Sequence, residues 1–450
     1  MPVVTRGKIL PGPHGGWLFG NLKEFGADQL ATMTRWAEEY GDIVFARFGP
    51  RRVVFVNHPE LVEEVLVNQN RRFIKHYRLR QTRRTLGHGL LTSEGEFWRG
   101  QRKLAQPAFH RDRIAAYGRL MVEYTERMLA SWHDGQTRDV QPDMMRLTLE
   151  IVAKTLFDAE IGGDTAEATE AMETLMRAFI ARSGSLLAPP HWIPTPLNLR
   201  VERAIRRLER ILAAVITARR ASGQDRGDLL SMLLEAQDEE SGRRMSDRQL
   251  RDEVMTLFMA GHETTANTMA WAWVLLARHP EVEARLHAEV ESVLGGRLPT
   301  VADLPRLKYA ENVVSETLRV YPTVWVIGRE AVEPVELGGY LIPAGTTVFM
   351  PQWVIHRDRR WFEDPLSFRP ERWADGLHQR IHRYAYFPFG GGPRICIGNS
   401  FALMEATLIL VTIARQFRLS LVPDARIAPL ATITLRPAHG VNVVLTKRHT

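Results

Sequence analysis

The chain has 450 residues, 45% of them hydrophobic and 25% charged, with a net charge of +7, so it is long enough for an ample core and ordinary in polarity for a soluble protein. Its single cysteine excludes any intrachain disulfide, any four-cysteine zinc site and any protein-bound iron–sulfur cluster, and suits a reducing cytoplasm. The basic excess is spread over helices, too diffuse for nucleic-acid binding, and predicts mild attraction for an acidic partner. Length alone suggests two or three domains, but no Gly/Ser- or Pro-rich linker and no repeat divides the sequence. One large, mainly α domain with small β-sheets, spanning 1–450, is expected.

Residues 1–20 hold no run of about 20 apolar residues and lack the form of a signal peptide, so no membrane anchor is expected. Pro11-Gly12-Pro13 opens a turn-rich lead-in. Residues 27–40 read as a helix. Residues 43–48 and 52–56 are β-rich runs split by Gly49-Pro50-Arg51, a hairpin, and 59–67 is a short helix. Residues 70–92 look irregular and basic, ending in Gly87-His88-Gly89. A helix then starts at Ser93-Glu94-Gly95-Glu96-Phe97-Trp98, with a capping residue at its head. Trp98 and Arg102 share a face of it; taken alone, Trp98 is core and Arg102 a solvated cation.

Two helices follow over 114–160 and another over 166–182. The apolar, proline-rich 186–194 admits three readings: a packed interhelical loop, a lid over an apolar pocket, or a peripheral membrane contact; the lid is preferred. Residues 200–222 form a long basic helix and 228–236 a short one. The longest helical run, 246–279, is capped by Ser246 and stopped by Pro280. Its middle reads Ala260-Gly261-His262-Glu263-Thr264-Thr265, poor helix chemistry whose strain suggests a ligand approaching the backbone or a hydroxyl breaking the hydrogen-bond ladder. His262-Glu263 begins like a zinc-protease His-Glu-x-x-His, but position 266 is Ala, so zinc is rejected. Residues 305–320 form a helix in which Glu316 and Arg319, three apart, read alone as an ordinary surface ion pair. Short strands follow over 332–349, and β-rich runs at 433–435 and 441–445 close the chain.

The cysteine lies in Phe389-Gly390-Gly391-Gly392-Pro393-Arg394-Ile395-Cys396-Ile397-Gly398, ahead of an amphipathic helix expected over 399–414. Taken by itself, a lone cysteine is more often an inert buried hydrophobe. Here glycines allow a tight loop, while a helix N-terminus and Arg394 favour the thiolate, the form that a soft metal or haem iron takes. Phe389, Gly392, Arg394, Cys396 and Gly398 stand at the spacing of the haem-binding loop of the cytochrome P450 family, which this stretch resembles without departure.

The resemblance extends over nearly the whole chain. It implies a single-domain cytochrome P450 fold with haem b (iron protoporphyrin IX) between the long central helix and the cysteine-loop helix, and Cys396 as axial ligand of the iron. Trp98 and Arg102 match the family's Trp-x-x-x-Arg pair, and with Arg329 and Arg394 they would meet the haem propionates. Ala260, Gly261, Glu263, Thr264 and Thr265 match its mid-helix motif. The small residues would leave room for dioxygen, and Glu263 and Thr264 would deliver protons. Glu316, Arg319 and Arg372 would form a buried structural triad; Trp373 stands where Phe is more usual. Val324, Trp325, Val326, Ile327 and Ile433 would line an apolar substrate pocket.

The function implied is a haem-thiolate monooxygenase that inserts one oxygen atom from O2 into an apolar organic substrate, by hydroxylation or epoxidation. No Gly-x-Gly-x-x-Gly fingerprint follows a strand and no ferredoxin cysteines exist, so a separate ferredoxin or flavodoxin with its reductase must supply electrons. Arg99, Lys103, Arg111 and Arg113 would contribute to its docking face. A cytoplasmic monomer is expected. Two other classes remain at this point: a haem-binding sensor or carrier without turnover, and a non-haem helical protein with a structural cysteine.

Overall fold

A computed structural model of the chain describes residues 4–5, 8–157, 167–168, 170–171, 174–175, 178, 193–226, 228–235, 242 and 244–448. These are mostly helical, with small sheets. Residues 186–192 of the expected lid, and most of the expected helix 166–182, lie outside the described residues. By residue contacts the chain forms two compact units, Met1–Gln81 with Ser315–Cys396, and Thr82–Val314 with Ile397–Thr450.

In the first unit the expected hairpin forms from Ile43–Phe48 and Arg51–Val56, in antiparallel register Ile43↔Val56. Arg51–Val56 pairs in parallel with Thr347–Met350, which pairs antiparallel with Ile327–Ala331. Phe73–Lys75 completes the five-stranded sheet at its edge, inside a segment expected to be irregular. Three residues are too few to show an alternating pattern, so pairing with Ile327–Ala331 decides their conformation. Val54, Val56, Val62, Val65, Val348 and Phe387 are buried in its core. The helix expected over 27–40 forms as Gln29–Tyr40, starting two residues later because Asp28 turns extended and its carboxylate accepts the Ala31 N–H at 3.0 Å; a short helix that was not expected, Leu22–Ala27, precedes it. The short helix at 59–67 is an α-turn, Pro59–Glu63, running into a π-helical turn, Glu64–Asn68.

In the second unit the long helix is Asp247–Arg278, opened by a reciprocal capping box between Ser246 and Gln249. The sequence reading passed over the next helix, Pro280–Leu294, although Pro280 in its first turn is a start signal. The helix Val140–Phe157 packs on the long helix closely enough that a Cβ on Gly261 would lie 2.8 Å from Val152 Cγ2. Thr148 Oγ1 donates to the His262 carbonyl at 2.9 Å across the same contact. The helix runs unbroken through the mid-helix stretch. Thr264 and Thr268 donate their hydroxyls to the carbonyls of Ala260 and Thr264, at 2.7 and 2.9 Å.

The helix after the cysteine loop, Asn399–Gln416, is not amphipathic. It is buried without a break from Met404 to Ala414, so every face is covered and it belongs to the core. The expected cap at Ser93 also differs. The helix is Gly95–Ala105, its N-cap falls on Glu94, and no side chain caps it. The helix expected at 305–320 begins as a 3-10 turn, Val301–Arg306, and becomes α only at Lys308–Val320.

Gly87-His88-Gly89 has a structural purpose. The His88 and Leu90 N–H groups donate to Asp252 Oδ2 (2.7 Å) and Glu253 Oε2 (2.9 Å) of the long helix. A Cβ on Gly87 or Gly89 would meet Asp252 or Thr256 at 2.0 and 2.2 Å, so only glycine lets the backbone approach. No helix among the described residues is long and apolar enough to cross a membrane.

Candidate active site

The loop around Cys396 is shaped by its own unit. Gly390 and Gly392 have φ of +74° and +63°, open to glycine at little cost. A Cβ on Gly392 would sit 1.9 Å from the Leu66 carbonyl oxygen, and one on Gly391 2.2 Å from the Tyr384 ring. The Gly390 N–H donates to the Phe387 carbonyl at 2.9 Å, the Gly392 N–H to the Tyr384 hydroxyl at 3.2 Å, and the Cys396 N–H to the Phe389 carbonyl at 3.0 Å. Phe389 is half-buried, Arg394 ends a one-turn 3-10 helix, and Cys396 is exposed. Gly398 is the N-cap of the helix that follows.

Arg329 lies on the strand Ile327–Ala331 of the same unit, buried, opposite Val348 and Lys75. Burial, and then the Arg329 charge, push His76 down to about 3, so it is neutral beside that guanidinium. Trp325 is buried, while Val324, Val326 and Ile327 are half-buried. Ile327 reaches the cysteine loop: its Cδ1 lies 3.3 Å from where a Cβ of Gly390 would be.

Glu316 and Arg319 are both fully buried, unlike the surface pair that their spacing alone suggests. Arg319 Nε and Nη2 hold both oxygens of Glu316, at 2.9 and 2.8 Å, and its remaining N–H groups donate to the carbonyls of His356, Pro365 and Ser367. Arg372 Nε and the Arg369 N–H donate to Glu316 Oε1, and the Trp373 indole N–H donates to Oε2 at 2.9 Å. The indole thus has a use that a phenyl ring at position 373 lacks.

In the second unit the long helix is closed on most sides, but Ala260 is exposed and Thr264, one turn on, is half-buried. Gly261 is turned to Val152 and so serves helix packing, leaving Ala260 as the open small residue. Glu263 is buried. Burial pushes its carboxyl up, against smaller opposing pulls from Thr434, Arg436 and Asn267. Its Oε1 accepts from Thr434 Oγ1 at 2.7 Å. Residues 433–435, expected as a strand, are instead the turn and first strand residue of the hairpin Pro429–Ala431/Leu435–Pro437, and Ile433 is exposed on that turn. Trp98 is buried and Arg102 half-buried on the helix Gly95–Ala105, where Arg102 Nε donates to Gln106 Oε1 at 2.9 Å.

Sequence reasoning missed three neighbours of this chemistry. Asn267 was legible, four residues after Glu263 on one helix face. Thr434 was not, being 171 residues away. Glu405 was hidden by the amphipathic reading of its helix. It is fully buried, neither carboxylate oxygen has a hydrogen-bond partner among the described residues, and burial pushes it up to about 8, against a smaller pull from Thr265.

Because Glu405 binds its proton more tightly folded than unfolded, its stabilising effect is full below about pH 4.5 and is lost as pH rises towards about 8. Glu405→Gln should therefore melt at a higher temperature than the parent at pH 9, by a margin worth a few kcal/mol in order of magnitude, and close to it at pH 5. Thermal melts at the two pH values check this; an equal margin at both rules out titration of Glu405.

The residues present suit a haem. By chemistry the first unit offers an exposed cysteine sulfur and guanidinium groups, and the second an indole, a guanidinium and a long helix on which Ala260 is exposed and Thr264 half-buried. The comparisons agree. Residues 10–440 match the family model described as Cytochrome P450. The chain is 41% identical to cyclooctat-9-en-7-ol 5-monooxygenase of Streptomyces melanosporofaciens, covering 93% of this chain and 94% of that one. It is 36% identical to pentalenene oxygenase of Streptomyces avermitilis, covering 91% of each. The crystal structure of the cytochrome P450DA heme domain superposes with a TM-score of 0.89 at 30% identity, over 98% of each chain. The chain belongs to the cytochrome P450 family and is a monooxygenase that works with haem, O2 and a redox partner on an organic substrate.

Proposed function

We propose that this enzyme hydroxylates or epoxidises an apolar terpenoid, with haem b ligated by Cys396. The substrates in the names of the two Streptomyces relatives support that class. So do the apolar side chains of Val324, Trp325, Val326, Ile327 and Ile433 as pocket wall. Trp98, Arg102, Arg329 and Arg394 hold the propionates, and Glu316, Arg319 and Arg372 support the fold of the first unit. Residues 1–450 act as one haem domain. Electrons come from a separate acidic ferredoxin or flavodoxin, towards which Arg99 and Lys103 are exposed cations; the side chains of Arg111 and Arg113 lie outside what the structure describes. The enzyme acts as a cytoplasmic monomer.

The bound haem supplies O2 activation and transfer of one oxygen atom. The chain supplies protons and their timing. The observation that carries this reading is the pairing on the long helix of a half-buried Thr264 at its open face with a buried Glu263 directly before it. The Thr264 hydroxyl now donates to the Ala260 carbonyl, and it turns from there to hold a proton at the reacting oxygen. Glu263 refills it from solvent.

Thr264→Ala removes this hydroxyl without removing charge. The variant should fold, load haem and accept electrons, but oxidise nicotinamide largely to peroxide, with product formation down about a hundredfold, the lower end of the range for lost proton transfer. If Thr264 only fills helix space, Ala strengthens the helix slightly and coupling is unchanged. Substrate class is tested by titrating a terpenoid and a fatty-acid panel for spin-state shifts. Shifts with fatty acids alone would remove the terpenoid assignment.

A further inference from the structure

Glu263 does not stand alone on its helix. Its Oε1 accepts from Thr434 Oγ1 at 2.7 Å, and Asn267 Nδ2 donates to that same hydroxyl at 3.2 Å. Glu263, Thr434 and Asn267 are 7%, 3% and 1% exposed, so water does not compete freely for these bonds. A hydroxyl has one proton to give. With the Asn267 amide donating into its oxygen, the Thr434 proton is directed at the carboxylate. The turn is itself fixed: the Thr434 carbonyl accepts from the Thr432 N–H at 3.0 Å and the Thr432 hydroxyl at 2.7 Å, and the Leu435 carbonyl accepts from the Trp271 indole at 3.0 Å. Trp271 lies on the same helix as Glu263, so this bond ties the hairpin to the helix two turns beyond the acid.

We propose that Thr434 is a positioning residue for Glu263: its hydroxyl, oriented by Asn267, fixes the carboxylate and sets how readily it takes up and gives up a proton. The hairpin thereby tunes the acid of the long helix, which gives the C-terminal segment a part in proton supply. The reading of Glu263 as the relay underlies that last step; the effect on its proton affinity does not depend on it. Burial alone pushes Glu263 up; the Thr434 donor and the Arg436 charge, both from the hairpin, pull it back. On the helix Asn399–Gln416, packed against the long helix, the charged groups are Glu405, which bears on Thr265, and Arg415, which is paired with Glu126.

The test uses the full-length haem enzyme in its resting state, with the protonated-carboxyl infrared band followed against pH. Glu263→Gln identifies the Glu263 band by its loss, and Glu405→Gln identifies that of Glu405. Thr434→Val keeps the shape and removes the donor. It should raise the Glu263 midpoint by about one pH unit, a tenfold gain in proton affinity, and Thr434→Ser should restore it. The pH profile of kcat should move with the midpoint in the same three proteins. An unchanged midpoint in Thr434→Val overturns the proposal. A lowered midpoint also overturns it, since the hydroxyl would then be accepting from a neutral acid. If the midpoint moves and the pH profile stays, Thr434 positions Glu263 as proposed and the relay reading of Glu263 is what fails.

Discussion

Cys396→Ala folds like the parent and has no haem-thiolate: the purified protein either lacks haem or binds it with the red-shifted band of the reduced carbon-monoxide complex gone. Monooxygenase turnover falls to background. The expectation rests on composition as much as on geometry, since no second cysteine exists to take over. Folding is preserved because the loop has backbone bonds that do not depend on the side chain at 396. It closes through the N–H groups of Gly390, Gly392 and Cys396 on the carbonyls of Phe387 and Phe389 and the hydroxyl of Tyr384. Alanine keeps the Cys396 N–H. Circular dichroism with the carbon-monoxide difference spectrum checks both halves, and an unaltered spectrum would sink the ligand assignment.

Glu316→Leu should be the most destabilising of single changes in the first unit. It leaves the Arg319 and Arg372 guanidinium groups without their shared carboxylate, in a place where Arg319 is fully buried and the Arg372 side chain only 7% exposed. Breaking a buried pair by removing one partner costs about 3–5 kcal/mol, against about 0–1 for a surface pair. Burial already holds Arg372 below its ordinary pKa even with Glu316 present. Arg319→Leu should cost a similar amount, and the double variant less than the sum of the two, because neither charge is then stranded by the other's loss. Denaturant unfolding of the three proteins measures this. Additive costs would mean that the two groups act independently.

The hairpin at 43–56 and the long helix were legible because their causes are local: β-rich apolar runs around a turn, and a Ser246 cap with Pro280 beyond. The cysteine loop was legible for the same reason, its glycines, arginine and cysteine lying within ten residues of one another. Glu316 and Arg319 were not legible as a buried pair from their own helix. What buries them is the segment 356–373, which supplies three carbonyls, the Arg369 N–H, the Arg372 guanidinium and the Trp373 indole. Phe73–Lys75 is a strand only because Ile327–Ala331 pairs with it. Thr434 next to Glu263 is likewise a product of the fold. The amphipathic reading of Asn399–Gln416 failed differently: its polar residues are themselves buried, among them Glu405, Thr407 and Thr412, so polarity did not mark a solvent face.

The contacts that close the cysteine loop carry a consequence for substitution. Gly392 is seated against the Leu66 carbonyl of the π-helical turn, and Gly391 against the Tyr384 ring, so a side chain at either glycine moves a neighbour that lies far back in the chain or itself holds the loop. The shape of the loop is therefore written partly in residues distant from it in sequence, and a change at Leu66 or Tyr384 reaches Cys396 without touching it.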